Sequence, residues 1–148
     1  MRFLLLNGPN LNLLGTREPS IYGSETLEEI ENHTQALLGK AGITLECFQS
    51  NAEHELINKI HQAKQDSVDY ILFNPAAYTH TSIALRDALI AVEIPFTEIH
   101  LSDPKSREEF RHRSFFSDIA VEVVSGLGAN SYYTAVEHAV KTIKEQNT

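Results

Sequence analysis

Five short, dominantly apolar runs punctuate this chain: Phe3 to Leu6, Ile43 to Phe48, Tyr70 to Phe73, Phe96 to Ile99 and Ala120 to Val124. Each has strand length and the unbroken apolar character expected when both faces of a sheet are covered. Between them, apolar residues recur at helical spacing. Leu27, Ile30, Leu37, Leu38 and Ala41 share one face, Leu56, Ile57, Ile60 and Ala63 a second, and Ile83, Ala84, Ala88, Leu89 and Val92 a third; Val136, Ala139, Val140 and Ile143 mark a last helix. The boundaries carry start and stop signals. Thr26 with Glu29 fits a capping box, Ser50 with Glu53 suits a second start, and Thr81 or Ser82 can cap the third helix. Gly42 is placed to end the first helix, and Asp103 before Pro104 reads as a cap followed by proline at the first helical position.

Strands alternating with helices predict an α/β domain with a parallel sheet and right-handed crossovers. At 148 residues, without a linker or repeat, residues 1–148 are expected to form a single domain. Five strands suit a flavodoxin-like three-layer sandwich with strand order 2-1-3-4-5. In such a sheet, ligands bind beyond the carboxyl ends of the strands, at the switch point between strands 1 and 3.

Charge and composition narrow the classes. With 20 acidic residues against 12 Lys and Arg, the net charge is −8, which disfavours broad nucleic-acid or anionic-membrane binding. No apolar run has transmembrane length, and Met1 to Asn7 lacks a cleavable signal pattern, so a soluble, unexported, cytoplasmic protein is expected. The single Cys47 excludes an intrachain disulfide and reads as buried filler. There is no Gly-x-x-x-x-Gly-Lys loop, strand-linked Gly-x-Gly-x-x-Gly, His-Glu-x-x-His, cysteine cluster or Gly-x-Ser-x-Gly elbow. No metal or organic cofactor is expected.

Polar residues gather where the fold would place a ligand. Asn7, Asn10, Arg17 and Tyr22 follow strand 1, Asn74, Tyr78 and His80 follow strand 3, and Glu98-Ile99-His100 ends strand 4. Asn7-Gly8-Pro9-Asn10 alone is adequately explained as a turn. Glu98 and His100 alternate on one strand and so share a face; the pair is either a structural ion pair or a functional one. Tyr22 is by type and position a packing residue, but Arg17 nearby can favour a phenolate. Arg107 and Arg111, four apart, form either a solvated face or an anion-binding one. A receiver domain on this fold needs carboxylates where Asn7 and Asn74 stand, and a flavodoxin needs a hydroxyl-rich phosphate loop where Asn10 to Leu14 stands.

Three motifs in register carry a resemblance. Asn7 to Gly15 with Arg17-Glu18-Pro19 and Tyr22-Gly23, then Asn74-Pro75 through Ala77 to Ser82 with Arg86-Asp87, then Glu98 to Ser102 with Arg107 to Arg111, resemble the type II 3-dehydroquinate dehydratases over nearly the whole chain. The resemblance implies a cofactor-free hydro-lyase of the shikimate pathway, which reversibly converts 3-dehydroquinate to 3-dehydroshikimate by anti elimination through an enolate. It further implies that Tyr22 is the base, Arg17 holds Tyr22 ionised, Asn10 places a water that stabilises the enolate, and His100 is the acid, oriented by Glu98. Asn74 and the backbone of Leu101 and Ser102 would hold the substrate carboxylate, and His80 and Arg111 the ring hydroxyls. Asp87 would reach a neighbouring subunit's site in a homododecamer of trimers.

The chemistry is consistent with these roles, because a proton beside a ketone is weakly acidic and its removal needs both a base and enolate stabilisation. Lowering a tyrosine by about two pKa units would take roughly 2.7 kcal/mol of selective phenolate stabilisation. The chain also departs from the family pattern. Asp103-Pro104-Lys105-Ser106 follows Ser102 where asparagine is usual, and Ala76-Ala77 stands where glycine is common. An acidic Asp103 beside a carboxylate-binding turn would weaken binding unless it points away as a cap.

Overall fold

The computed structural model describes residues 1–16 and 18–146. Five parallel strands, β1 (Arg2–Asn7), β2 (Thr44–Gln49), β3 (Tyr70–Asn74), β4 (Phe96–Ile99) and β5 (Glu122–Val124), form one sheet in the order β2-β1-β3-β4-β5. The helices are α1 (Pro19–Tyr22), α2 (Leu27–Lys40), α3 (Glu53–Gln65), α4 (Ile83–Val92) and α5 (Asn130–Gln146). This is the flavodoxin-like arrangement expected from the alternation of elements.

The two-residue period of the central strands divides the core in two. Phe3 and Leu5 of β1, with Tyr70 and Leu72 of β3, pack on one face against Ile30 and Leu38 of α2 and Ala135, Val136 and Ala139 of α5. Leu4, Leu6, Ile71 and Phe73 pack on the other against Leu56 and Ile60 of α3 and Leu85 and Leu89 of α4. A strand covered on both sides has no polar face, which is why β1 and β3 read as continuous apolar runs. The edge strands differ: Thr44 and Glu46 of β2 and Val123 of β5 are exposed, and β5 is only three residues long.

Local signals set most boundaries. The Thr26 hydroxyl accepts the Glu29 amide at 3.2 Å. Of the two candidates before α4, Ser82 is the cap, accepting from the Leu85 amide at 3.0 Å. The end of α2 is a Schellman motif, with Gly42 at φ 74° donating to the Gly39 carbonyl and Ile43 donating to that of Leu38. Two expectations shift. Ala52, not Ser50, occupies the cap position of α3; Ser50 accepts the Ala52 amide and donates to Glu55 rather than pairing with Glu53. No α-helix follows Asp103. The segment forms two 3-10 turns, Pro104–Ser106 and Glu109–Arg111, because the pattern there lacks an apolar stripe to bury.

Two backbone features bring the loops after β1 and β3 together. A Cβ on Gly8 would stand 2.4 Å from the Pro75 carbonyl oxygen, so only glycine allows its amide to reach the Asn74 carbonyl at 2.8 Å. Across this contact Ala76, one of the departures from glycine, holds φ 53°. The left-handed region costs an L-residue roughly 1–2 kcal/mol, against about 0.5–1 kcal/mol of extra chain entropy that glycine loses on folding. Ala76→Gly should therefore stabilise the protein by up to about 1 kcal/mol, read as a rise of a few degrees in the thermal midpoint. A fall would mean that the packing of this methyl outweighs its conformational cost.

Candidate active site

Parallel register makes the central strands end together. Asn7 is the partner of Asn74 across β1 and β3, and Phe73 that of Glu98 across β3 and β4. A pocket opens beyond these ends. Pro9, Asn10 and Leu11 line it from the loop after β1, Tyr22 from α1, and Asn74, Ala76, Ala77 and His80 from the segment after β3. His100, Leu101, Ser102 and Pro104 follow β4, and Arg107 and Arg111 come from the turns beyond.

Tyr22 ends the single turn of α1, where Pro19 supplies a preset φ and Gly23 closes the turn by donating to the Pro19 carbonyl at 2.8 Å. Its half-buried ring packs against the α2–α5 side of the core. The Arg107 guanidinium carbon lies 5.3 Å from the ring centroid, and the same side chain donates to the Ser102 hydroxyl at 3.2 Å. A cation thus stands against the phenol. Arg17, the arginine singled out for this role in the sequence, lies outside the described residues.

His100, which lines the same pocket, belongs to a carboxylate–imidazole pair with Glu98. Glu98 is 1% exposed, and one of its oxygens lies 2.5 Å from His100 Nε2. Ser114 donates to that oxygen at 2.9 Å, Ser117 to the other at 2.7 Å, and Thr79 stands at 3.5 Å. Burial alone would raise the Glu98 pKa, but the His100 contact and the Ser117 and Ser114 hydroxyls outweigh it and hold the carboxyl below its ordinary value. With Nε2 engaged by Glu98, Nδ1 is the ring nitrogen left for another partner.

The other side chains are positioned by their own partners. His80 Nδ1 donates to the Arg113 carbonyl at 2.8 Å, which leaves Nε2 as an acceptor. Burial lowers the His80 pKa against the pull of that carbonyl, and the charges of His100 and Arg111 act in the same direction as burial. Asn74 donates to the Tyr132 hydroxyl and accepts the Ala76 amide. Asn10 sits at φ 69°, its amide held by Asn51 Oδ1 at 3.0 Å. Leu101 and Ser102 are fixed by their carbonyls, which accept from Gly128 and Gly126. Arg111 Nε is 3.2 Å from both oxygens of Glu108. Asp103 turns its carboxylate to the Lys105 amide at 3.0 Å and does not line the pocket, so this departure acts as a cap. Asp87 is exposed on α4, outside the pocket of its own chain.

Sequence reasoning missed Ser114, Ser117 and Thr79 as partners of Glu98, and Tyr132 as the partner of Asn74. Hydroxyls in a loop or apolar helix carry no signal of their own, and these partners are 16 to 58 residues away along the chain. Among the described residues, no group of three His, Cys, Asp or Glu comes together as a metal site, and no helix is long and apolar enough to cross a membrane. The pocket brings together a phenol with a cation against its ring, an imidazole paired with a buried carboxylate, and amide and guanidinium donors. Such a set of groups can exchange protons with a small polar molecule and hold its polar substituents.

Residues 1–140 match the family model described as dehydroquinase class II. The chain belongs to the class II dehydroquinase family. It is 60% identical over 143 residues to a 3-dehydroquinate dehydratase of Legionella pneumophila strain Corby, covering 97% of this chain and 99% of the relative. It is 63% identical over 131 residues to one of Haemophilus influenzae strain PittGG, covering 88% and 87%. The crystal structure of a type II dehydroquinase from Butyrivibrio crossotus superposes with a TM-score of 0.91 at 42% identity, over 93% of this chain and 96% of that one.

In this chain the buried Glu98 links stability to pH. Its folded pKa lies below the ordinary 4.5, so its stabilising contribution is complete above that value and is lost as pH falls through the folded pKa. Glu98→Gln should be less stable than the parent at neutral pH, by about 3 kcal/mol if the loss is that of a broken buried pair. The gap should narrow below pH 4.5 in chemical denaturation series. A gap independent of pH would show that the carboxylate charge contributes nothing.

Proposed function

We propose that this chain removes water from 3-dehydroquinate to give 3-dehydroshikimate, reversibly, as a hydro-lyase of the shikimate pathway. The observation that carries this reading is the placement of Tyr22 and the Glu98-supported His100 in one pocket at the carboxyl ends of β1, β3 and β4, in a chain of the class II dehydroquinase family.

In the proposed reaction Tyr22, as phenolate, takes the proton from the carbon beside the ketone. Arg107, against its ring, and Arg17 favour the charge that this requires. The electrons left behind form an enolate, stabilised by a water that Asn10 helps to place. His100, as imidazolium held through Nε2 by the Glu98 carboxylate, gives its Nδ1 proton to the hydroxyl on the next carbon. The enolate electrons form the new carbon–carbon double bond, the carbon–oxygen bond breaks and water leaves. Proton removal and delivery from separate groups suit anti elimination. Asn74 and the backbone of Leu101 and Ser102 hold the substrate carboxylate, while His80 and Arg111 bind ring hydroxyls.

The assembly belongs to the same proposal. Helix α4 presents Ile83 and Ile90, 56% and 50% exposed, on either side of exposed Asp87 at four- and three-residue spacing. Covering this face with a second copy would remove apolar surface from water and carry Asp87 toward a neighbour's pocket. Closed symmetry through trimers to a homododecamer satisfies every copy alike. Light scattering should report an oligomer, and a fully active monomer would refute the shared-site reading.

Tyr22→Phe is the decisive variant. It keeps the ring but removes the base, so turnover should fall by about a hundred- to ten-thousandfold, while calorimetric affinity for a product analogue stays close to that of the parent. Turnover at the parental rate would remove Tyr22 from the base role and transfer that step to Glu98 or His100.

A further inference from the structure

Tyr132 lies on α5, outside the pocket lining, and is fully buried. Its hydroxyl is 2.7 Å from Asn7 Oδ1 and 2.8 Å from Asn74 Nδ2, and so joins the ends of β1 and β3 from behind. The direction of each bond follows from one fixed donor. The Ala76 backbone amide can only donate, and it reaches Asn74 Oδ1 at 3.1 Å. The amide nitrogen of Asn74 must then face Tyr132, whose oxygen accepts. The single phenol proton is left for Asn7 Oδ1. Reversing the Asn74 amide would set its NH2 against the Ala76 N–H, donor against donor.

We infer that Tyr132 is a positioning residue for catalysis, locking the Asn74 amide so that the second hydrogen of Nδ2 is turned to the substrate carboxylate. Burial pushes the Tyr132 pKa up, so the hydroxyl keeps the proton that this arrangement needs. The two asparagines differ in their commitments. Asn7 Nδ2 is buried without a hydrogen-bond partner among the described residues, whereas Asn74 has its oxygen and one hydrogen taken inside the protein and lines the pocket. The chain therefore leaves Asn7 unsatisfied while directing Asn74. The left-handed Ala76 takes part, because the amide that orients Asn74 is presented from that strained turn.

This inference rests on the proposed role of Asn74 in holding the carboxylate, and the experiment separates the two. Tyr132→Phe, Asn74→Ala and the double variant are assayed in the full chain with 3-dehydroquinate below their thermal midpoints. Tyr132→Phe should raise KM about tenfold, the loss of one directed hydrogen bond, with kcat within about threefold. Asn74→Ala should raise KM at least as much, and the double variant should be no worse than Asn74→Ala alone, since there is then no amide to orient. A parental KM in Tyr132→Phe beside a raised KM in Asn74→Ala overturns the inference and leaves the site reading standing. Additive effects also overturn it, because they would mean that Tyr132 acts without Asn74. A parental KM in Asn74→Ala overturns the site reading first and this inference with it. If Tyr132→Phe does not fold, Asn7→Ala reads the same lock by removing the acceptor that fixes the phenol proton. A KM raised several-fold supports the lock, and an unchanged KM overturns it.

Discussion

A carboxylate with 1% of its surface exposed stands at the end of β4, and much of the surrounding structure answers to it. Removing one partner of a buried charge pair costs about 3–5 kcal/mol, because an uncompensated ion is left in low dielectric. Glu98 is therefore met from three directions: His100 two residues on, Thr79 after β3, and Ser114 and Ser117 beyond the 3-10 turns. Those serine contacts draw an otherwise irregular segment back across the sheet, and they do so close to Arg107 and Arg111. The group that orients the imidazole thus also helps to shape the wall of the pocket.

The sheet supplies the other half of the geometry. Parallel strands in register end side by side, so Asn7, Asn74 and Glu98 reach the same edge although they lie far apart along the chain. Side-chain alternation then separates their duties. Asn74 belongs to the α5 side, where Tyr132 meets it, while Glu98 points to the opposite face and its serines. The pocket lies between two differently supported polar groups, one held by a neutral phenol and one by hydroxyls and an imidazole. Gly8 allows the loops after β1 and β3 to touch, its amide donating to the Asn74 carbonyl.

Much of the fold was legible because it rests on short-range regularities. Thr26, Ser82 and Gly42 perform the capping duties their positions announced, and the β1 and β3 runs declared themselves central by lacking a polar face. The less accurate expectations came where tertiary contacts outweigh local pattern. Ser50 found Glu55 instead of Glu53, and the segment after Asp103 has no apolar stripe with which to hold a helix. Asp103, ambiguous as a residue type beside the pocket, was decided by a single hydrogen bond to Lys105.

By itself, the sequence determined the α/β class and the small set of polar residues at the strand ends, since hydrophobic periodicity and the motifs are written in consecutive residues; the strand order followed only from the match of five strands to a flavodoxin-like sheet. Only the tertiary structure decided which partners those residues keep. The Ser114–Ser117 hold on Glu98, the approach of Arg107 to Tyr22, and the bridge from Asn7 through Tyr132 to Asn74 are contacts between distant segments. A hydroxyl or a guanidinium has many possible partners along a chain, and its choice is made only when packing removes water and leaves one within reach.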